Sequence, residues 1–212
     1  MKLFDLDGTL IDSNGVWLQI DLDFLAARGL PHTMEYSNYV SHVTYQEAAQ
    51  YTKDCFGLKE STDEIMQIWS DMALDAYAHH IPLKDGVREY LEQEIRKGEQ
   101  LAIVTSCMDH LCRAVLQRHG IRELFSQITT VREVARDKKF PDIYRLAAQK
   151  AGVSPAACTM YEDSPTAIKG ARSAGMRVVG VHDSFFSAHE VEMRNFCDGY
   201  IHSFRELLDD PV

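Results

Sequence analysis

The sequence predicts an α/β protein: a three-layer, doubly wound parallel sheet interrupted by an all-helical cap. Three observations predict it. Short apolar runs such as Leu101-Ala102-Ile103-Val104-Thr105 and Val178-Val179-Gly180-Val181 are continuous, as expected of strands buried on both faces. Amphipathic segments that stop at glycine separate these runs, and repeated strand–helix units of this kind build a parallel sheet with helices on its faces. Between the first apolar run and Pro82, by contrast, the chain carries only helical periodicity. The α/β core is therefore assigned to residues 1–13 and 83–212 and the helical cap to residues 14–82.

Taken in order, Leu3-Phe4 opens a strand that continues through alternating Asp5-Leu6-Asp7-Gly8-Thr9-Leu10 and stops at a glycine turn. Val16, Trp17, Ile20, Phe24 and Leu25 recur at helical spacing behind the potential caps Asp12 and Ser13. Helices are expected from Tyr45 to Phe56 and from Thr62 to Tyr77, the second with Ile65, Met66, Ile68, Trp69, Met72 and Leu74 as its apolar face. After Pro82, helices are expected over 87–96, 111–118, 143–151 and 166–174, with Gly98, Gly120, Gly152 and Gly175 as stops. Strands are expected at 101–105, 128–131, 159–161 and 178–181.

The 212 residues carry 22 Lys+Arg against 32 Asp+Glu, a formal charge of −10, which argues against a nucleic-acid or anionic-membrane binder. An acidic residue, Asp5, arrives before any signal-peptide core could form, and no run approaches membrane-span length. Cys55, Cys107, Cys112, Cys158 and Cys197 lack CxxC or zinc-type spacing and read as thiols of a reducing compartment. A cytoplasmic protein, monomeric or weakly dimeric, is expected.

Ligands of parallel α/β sheets bind beyond the carboxyl ends of the strands. Polar groups follow the strands here: Asp5 and Asp7, Thr105 and Ser106, Lys138 and Lys139, then Glu162 and Asp163. Asp5 and Asp7 can converge only if the strand ends between them, a bend that Gly8 permits. With Asp163 they form a negative cluster that calls for a cation, and Mg²⁺ prefers carboxylate oxygens, water and substrate phosphate. Lys138, Thr105, Ser106 and the amides after Gly8 complete a site for a phosphoryl group, where catalysis is mainly positioning and charge neutralisation. The bland readings are an acidic turn, helix capping by Thr105 or Ser106, solvated lysines and a plain helix start at Ser164-Pro165. They fail to explain all four clusters together.

Asp5-Leu6-Asp7-Gly8-Thr9-Leu10 closely resembles the first motif of the haloacid dehalogenase superfamily, whose members are mostly phosphohydrolases on a Rossmann-type core. Val104-Thr105-Ser106, Lys138-Lys139-Phe140-Pro141-Asp142 and Glu162-Asp163-Ser164-Pro165 resemble the second, third and fourth motifs, in order. The resemblance implies that Asp5 is the nucleophile, forming an aspartyl-phosphate, and Asp7 the general acid and base. It implies that Thr105 binds the phosphoryl group and Lys138 pairs with phosphate and Asp5. It further implies that Asp5, Asp163 and the backbone carbonyl of Asp7 ligate Mg²⁺, with Glu162 in the outer shell. Lys139 stands where the family carries proline, so two adjacent lysines compete for one role; counting four back from Asp142 favours Lys138.

The cap resembles those of the β-phosphoglucomutase and phosphoglycolate phosphatase subfamilies. Such mutases carry a histidine where this chain has Trp17, and a cap-loop arginine that Thr44 to Gln46 does not offer. The expectation is therefore Mg²⁺-dependent hydrolysis of a small phosphorylated metabolite, with Trp17, His42, Tyr45 and Gln46 as cap candidates for reading it and the cap closing to exclude water. A sugar-phosphate mutase is the alternative within the family, and a non-catalytic phosphate-binding regulator the alternative outside it. Asp7 and Glu162-Asp163 speak against carbon–halogen chemistry. The histidines lack metal-ligand spacing and read as surface or packing residues.

Overall fold

In the computed structural model, residues 1–40 and 43–209 are described. The chain divides into two compact units, one formed by Met1–Asn14 and Ile81–Val212, the other by Gly15–His80. Asn14, Ile81 and Pro82 thus lie with the α/β unit.

Among the described residues of the first unit, β1 (Lys2–Phe4), β2 (Leu101–Thr105), β3 (Phe125–Thr130), β4 (Thr159–Glu162), β5 (Arg177–Val181) and β6 (Gly199–Ile201) form one sheet of order β3-β2-β1-β4-β5-β6. Every pairing is parallel. From β1 the chain winds outward to β3, returns to β4 and winds outward on the other side. That reversal leaves a crevice at the carboxyl ends of β1 and β4, where Asp5 and Asp163 emerge.

The two faces of the sheet bury different chemistry. Leu3, Ala102, Val104, Met160 and Val178 join Ile143, Tyr144, Ala147, Ile168, Ala171 and Met193 in one core cluster. It is roofed by three helices: α7 (Asp142–Lys150), α8 (Pro165–Ser173) and α9 (Glu190–Phe196). The alternate residues Phe4 and Tyr161 stack at 4.7 Å on the other face, with Tyr90 and Phe204 packed against them. Tyr90 belongs to α5 (Val87–Arg96), and α6 (Asp109–Arg118) follows β2. The period-2 alternation of Leu3/Phe4 and Met160/Tyr161 thus supplies two cores.

The helical unit contains α1 (Val16–Ala26), α2 (Met34–Val40), α3 (Tyr45–Phe56) and α4 (Thr62–Asp75), which continues as a π-helical turn over Ala76–His80. Thr44 and Ser61 close capping boxes with Glu47 and Glu64, which set the starts of α3 and α4. Along α4 and its π turn the buried residues are Ile65, Trp69, Ala73 and Tyr77, a strict four-residue stripe, whereas Leu74 is exposed. The broader apolar face expected from the sequence is narrowed accordingly.

Three further differences from expectation have local causes. β1 ends at Phe4; residues 6–11 form a turn in which Leu10 and Ile11 donate to the Leu6 carbonyl at 2.9 and 3.1 Å. Gly15 rather than Asp12 or Ser13 caps α1, because the Ser13 hydroxyl is donated to Asp7. β6, α2 and α9 are short and carried no periodic signal.

Candidate active site

Asp5 leaves the end of β1 with its amide donating to the Tyr161 carbonyl of β4 at 3.0 Å, so the strand pairing itself orients the residue. Its carboxylate is buried, and Oδ1 lies 2.6 Å from Lys138 Nζ. The same ammonium lies 2.5 Å from Glu162 Oε2. One oxygen each from Asp5, Glu162 and Asp163 fall within 4.8 Å of one another, all three residues being buried.

This arrangement is electrostatically unbalanced: three buried carboxylates face one ammonium. Burial opposes the charge of Lys138, but Asp5 and Glu162 hold its pKa well above the ordinary lysine range. Burial pushes the Asp5 carboxyl up to about 7, with Lys138 pulling down and Asp163 and Asp7 pushing up. Burial likewise raises Glu162 and Asp163. The surplus negative charge and all-oxygen donor set fit a hard divalent cation such as Mg²⁺, for which Asp5 and Asp163 are the available carboxylates and Glu162, held by Lys138, a supporting one.

Asp163 is held from two sides. Thr9 Oγ1 donates to Oδ1 at 3.1 Å and Asn14 Nδ2 donates to Oδ2 at 2.8 Å. Gly8 makes this possible: φ is +77°, and a Cβ there would lie 2.2 Å from both Asp163 Oδ2 and Asn14 Nδ2. Asp7 accepts from Ser13 Oγ at 2.7 Å and is partly exposed, beside the buried Asp5. Thr105, at the end of β2, is fully buried and its Oγ1 accepts from the Cys107 amide at 3.0 Å; Ser106 is exposed. Helix capping does not account for Thr105, because the N-cap of α6 is Met108.

The two lysines are placed differently. Lys138 points into the cluster, while Lys139 is exposed, 3.5 Å from Asp137 and over the Phe140 ring. Tyr144 of α7 fixes the turn: its hydroxyl lies 3.1 Å from the Lys138 carbonyl and 2.9 Å from that of Ala167 on α8. Gly170 permits the approach, since a Cβ there would lie 2.0 Å from the Lys138 carbonyl oxygen.

Sequence reasoning missed Asn14, Lys84, Tyr144 and Gly170 as supports. Lys84 Nζ donates to the carbonyls of Gly8 (2.7 Å) and His182 (2.5 Å) and to Asp183 Oδ2 (2.9 Å), which ties the Gly8 turn to the segment after β5. Only Asn14, a polar residue following the first motif, offered any local signal; Lys84 and Gly170 depend on contacts remote in sequence, and Tyr144 on the turn at Lys138 and on α8.

Of the proposed readers of substrate, Trp17 and Tyr45 come together within the helical unit, rings 5.9 Å apart and nearly perpendicular. Tyr45 also packs on Trp69 and donates to the Met66 carbonyl at 2.9 Å, so part of its role is structural. Gln46 is exposed in the first turn of α3, and His42 lies outside the described residues. Cys112 is buried, and burial pushes its thiol up to about 12, in keeping with an inert packing role.

A model of the family described as haloacid dehalogenase-like hydrolase matches residues 2–181. A phosphorylated carbohydrates phosphatase of Thermotoga maritima is 25% identical over 180 residues, covering 84% of this chain and 83% of that protein. Protein CbbY of Rhodobacter capsulatus is 30% identical over 188 residues, covering 84% and 82%. Among solved structures, a variant of CbbY from Rhodobacter sphaeroides in complex with xylulose 1,5-bisphosphate superposes with a TM-score of 0.76. It is 25% identical, with coverage of 97% of this chain and 95% of that one.

Proposed function

The chain belongs to the haloacid dehalogenase-like hydrolases, and from that premise we propose that it is a Mg²⁺-dependent phosphomonoester hydrolase acting on a small phosphorylated metabolite, of sugar-phosphate type. The observation that carries this reading is the buried cluster of Asp5, Glu162 and Asp163 around Lys138. The similarity to a phosphorylated carbohydrates phosphatase and to a sugar-bisphosphate complex supports the substrate class.

On this reading Asp5 is the nucleophile. Its carboxylate oxygen forms a bond to phosphorus as the ester P–O bond breaks, and the leaving alkoxide takes a proton from Asp7. Asp7 then accepts a proton from water as that water attacks phosphorus. The bond between phosphorus and Asp5 breaks, releasing inorganic phosphate and restoring both carboxyl groups. Lys138 holds Asp5 in place and compensates charge on the transferred group, and Thr105 offers its hydroxyl to a phosphoryl oxygen. When bound, Mg²⁺ would neutralise phosphoryl charge and favour the ionised form of Asp5. The five free cysteines accord with a reducing, cytoplasmic setting for this chemistry.

A panel of sugar phosphates, phosphoglycolate and nucleotides, assayed with Mg²⁺ and with EDTA, tests the reading. Phosphate release with Mg²⁺ and its loss in Asp5→Asn are expected. Full activity in Asp5→Asn, or no turnover of any ester, rejects it. Isomerisation of β-glucose 1-phosphate in the presence of its bisphosphate would instead identify a mutase.

A further inference from the structure

A second group of ligating side chains lies outside the phosphoryl site, where β5 and β6 end. Val181 and Ile201 are partners in the parallel register, and the pairing continues one step further, with the His182 amide donating to the Ile201 carbonyl at 2.8 Å. His182 and His202 are therefore equivalent positions on neighbouring strands and share a face of the sheet. Their rings lie 4.6 Å apart. Glu190, the first residue of α9, brings its carboxylate between them: Oε2 is 3.2 Å from His182 Nδ1 and Oε1 is 3.4 Å from His202 Nε2.

We infer that His182, Glu190 and His202 form a metal site for a late first-row divalent ion of the Zn²⁺ type, distinct from the Mg²⁺ site. One donor atom from each of the three falls within 4.8 Å of the others. Tetrahedral coordination at bond lengths of roughly 2.0–2.1 Å places neighbouring donors roughly 3.3–3.4 Å apart; each imidazole nitrogen lies near that distance from a Glu190 oxygen, His182 from Oε2 and His202 from Oε1. His182 Nδ1 is itself buried and faces Glu190 Oε2 at 3.2 Å without hydrogen-bond geometry, an imidazole–carboxylate pair that a metal ion would bridge. Two imidazoles and one carboxylate select Zn²⁺ over Mg²⁺, and three protein ligands leave a fourth position for water.

One cation already lies against this set. Arg194 Nη2 is 2.8 Å from Glu190 Oε1 and 2.9 Å from His202 Nε2. Arg194 is partly exposed and also stacks over the Tyr200 ring at 4.3 Å, so it can leave the carboxylate and retain an apolar resting place. Arg194 therefore acts as a competitor that occupies the donors until a metal displaces it. The site is also coupled to the loop that supports the phosphoryl site, because the His182 carbonyl and the Asp183 carboxylate both accept from Lys84.

Titration with Co²⁺ under saturating Mg²⁺, followed by visible absorption, tests this without relying on turnover. The wild-type protein should develop the intense bands of tetrahedral Co²⁺. His202→Gln and His182→Gln should lose them and bind at least ~10-fold more weakly. Arg194→Gln should bind ~5-fold tighter, because it frees the donors. Zn²⁺ should raise the melting temperature of the wild type and not of His202→Gln. Unchanged circular dichroism and Mg²⁺-dependent turnover of His202→Gln without Zn²⁺ would establish that the variant is folded. Equal Co²⁺ binding by wild type and both histidine variants, or octahedral spectra throughout, overturns the site; an Arg194→Gln that binds no tighter overturns the role given to Arg194. Failure of the phosphatase reading would leave the absorption result untouched.

Discussion

Asn14 Nδ2 donates to Asp163 Oδ2 at 2.8 Å across 149 residues of sequence, joining the turn after β1 to the end of β4. An amide in that position orients a carboxylate without neutralising it, which suits the metal-ligand role proposed for Asp163. Asn14→Ala is expected to raise the Mg²⁺ concentration for half-maximal turnover about 10–100-fold while leaving kcat at saturating Mg²⁺ near wild type. An unchanged Mg²⁺ dependence would mean that Thr9 alone suffices to hold Asp163.

The two adjacent lysines should behave differently. Lys138→Met leaves Asp5 and Glu162 buried without their shared cation and should lower kcat by about 10²–10³-fold or more. Lys139→Met, removing an exposed group, should change kcat less than about twofold. Steady-state kinetics on one ester with both variants decides the matter.

Stability should depend on pH and metal together. Asp5 has its pKa raised from 3.8 to about 7, so its contribution to stability is full below about pH 4 and is lost as pH rises through about 7. On the proposed reading, Mg²⁺ would compete with that proton and bind better as it leaves. The melting temperature in EDTA should therefore fall between pH 5 and pH 8, and the increment produced by Mg²⁺ should grow over that interval. A Mg²⁺ increment independent of pH would contradict the raised pKa.

Gly8→Ala should be among the most damaging small substitutions. Its Cβ would meet Asp163 and Asn14 at 2.2 Å, at a φ of +77° that L-residues rarely adopt. Loss of Mg²⁺-activated turnover is expected, with a fall in stability of about 1–3 kcal/mol by thermal or urea unfolding.

Within the helical unit, burial pushes the Asp21 carboxyl up to about 6, with a hydrogen bond from Tyr36 opposing. Its contribution to stability is present below the unfolded value near 3.8 and lost as pH rises through about 6. Asp21→Asn should therefore stabilise the protein at pH 8 by about 1–2 kcal/mol after solvent screening, and by little at pH 4. Urea unfolding at the two pH values measures the difference.

Much of this molecule is legible in the sequence because its signals are local. The apolar run 101–105 is a strand buried throughout, and the segment 45–56 is a helix with those limits. Asp5, Lys138, Glu162 and Asp163 each stand near the end of a strand or the loop beyond it, so their convergence follows once the sheet is parallel. The supports are less legible. Lys84 acquires its three partners only when the Gly8 turn meets the segment after β5, and Gly170 matters because of a carbonyl in another loop. His182 and His202 stand twenty residues apart, a spacing that suggests no metal motif, and become neighbours only through the β5–β6 register. Short elements such as β6 are settled by edge pairing rather than by pattern.

The backbone on either side of the helical unit is stitched together: Asp12 N donates to the Pro82 carbonyl at 3.1 Å, Lys84 N donates to the Leu10 carbonyl at 3.0 Å, and Ile11 bridges Leu83 in antiparallel fashion. The chain therefore departs from the α/β unit and re-enters it through a single doorway, and the hydrogen bonds that Asp163 accepts from Thr9 and Asn14 both come from within that unit. Such a doorway makes the intervening stretch an exchangeable cassette. Evolution, or an engineer, can lengthen, replace or recombine it without breaking the backbone hydrogen bonds that close the α/β unit.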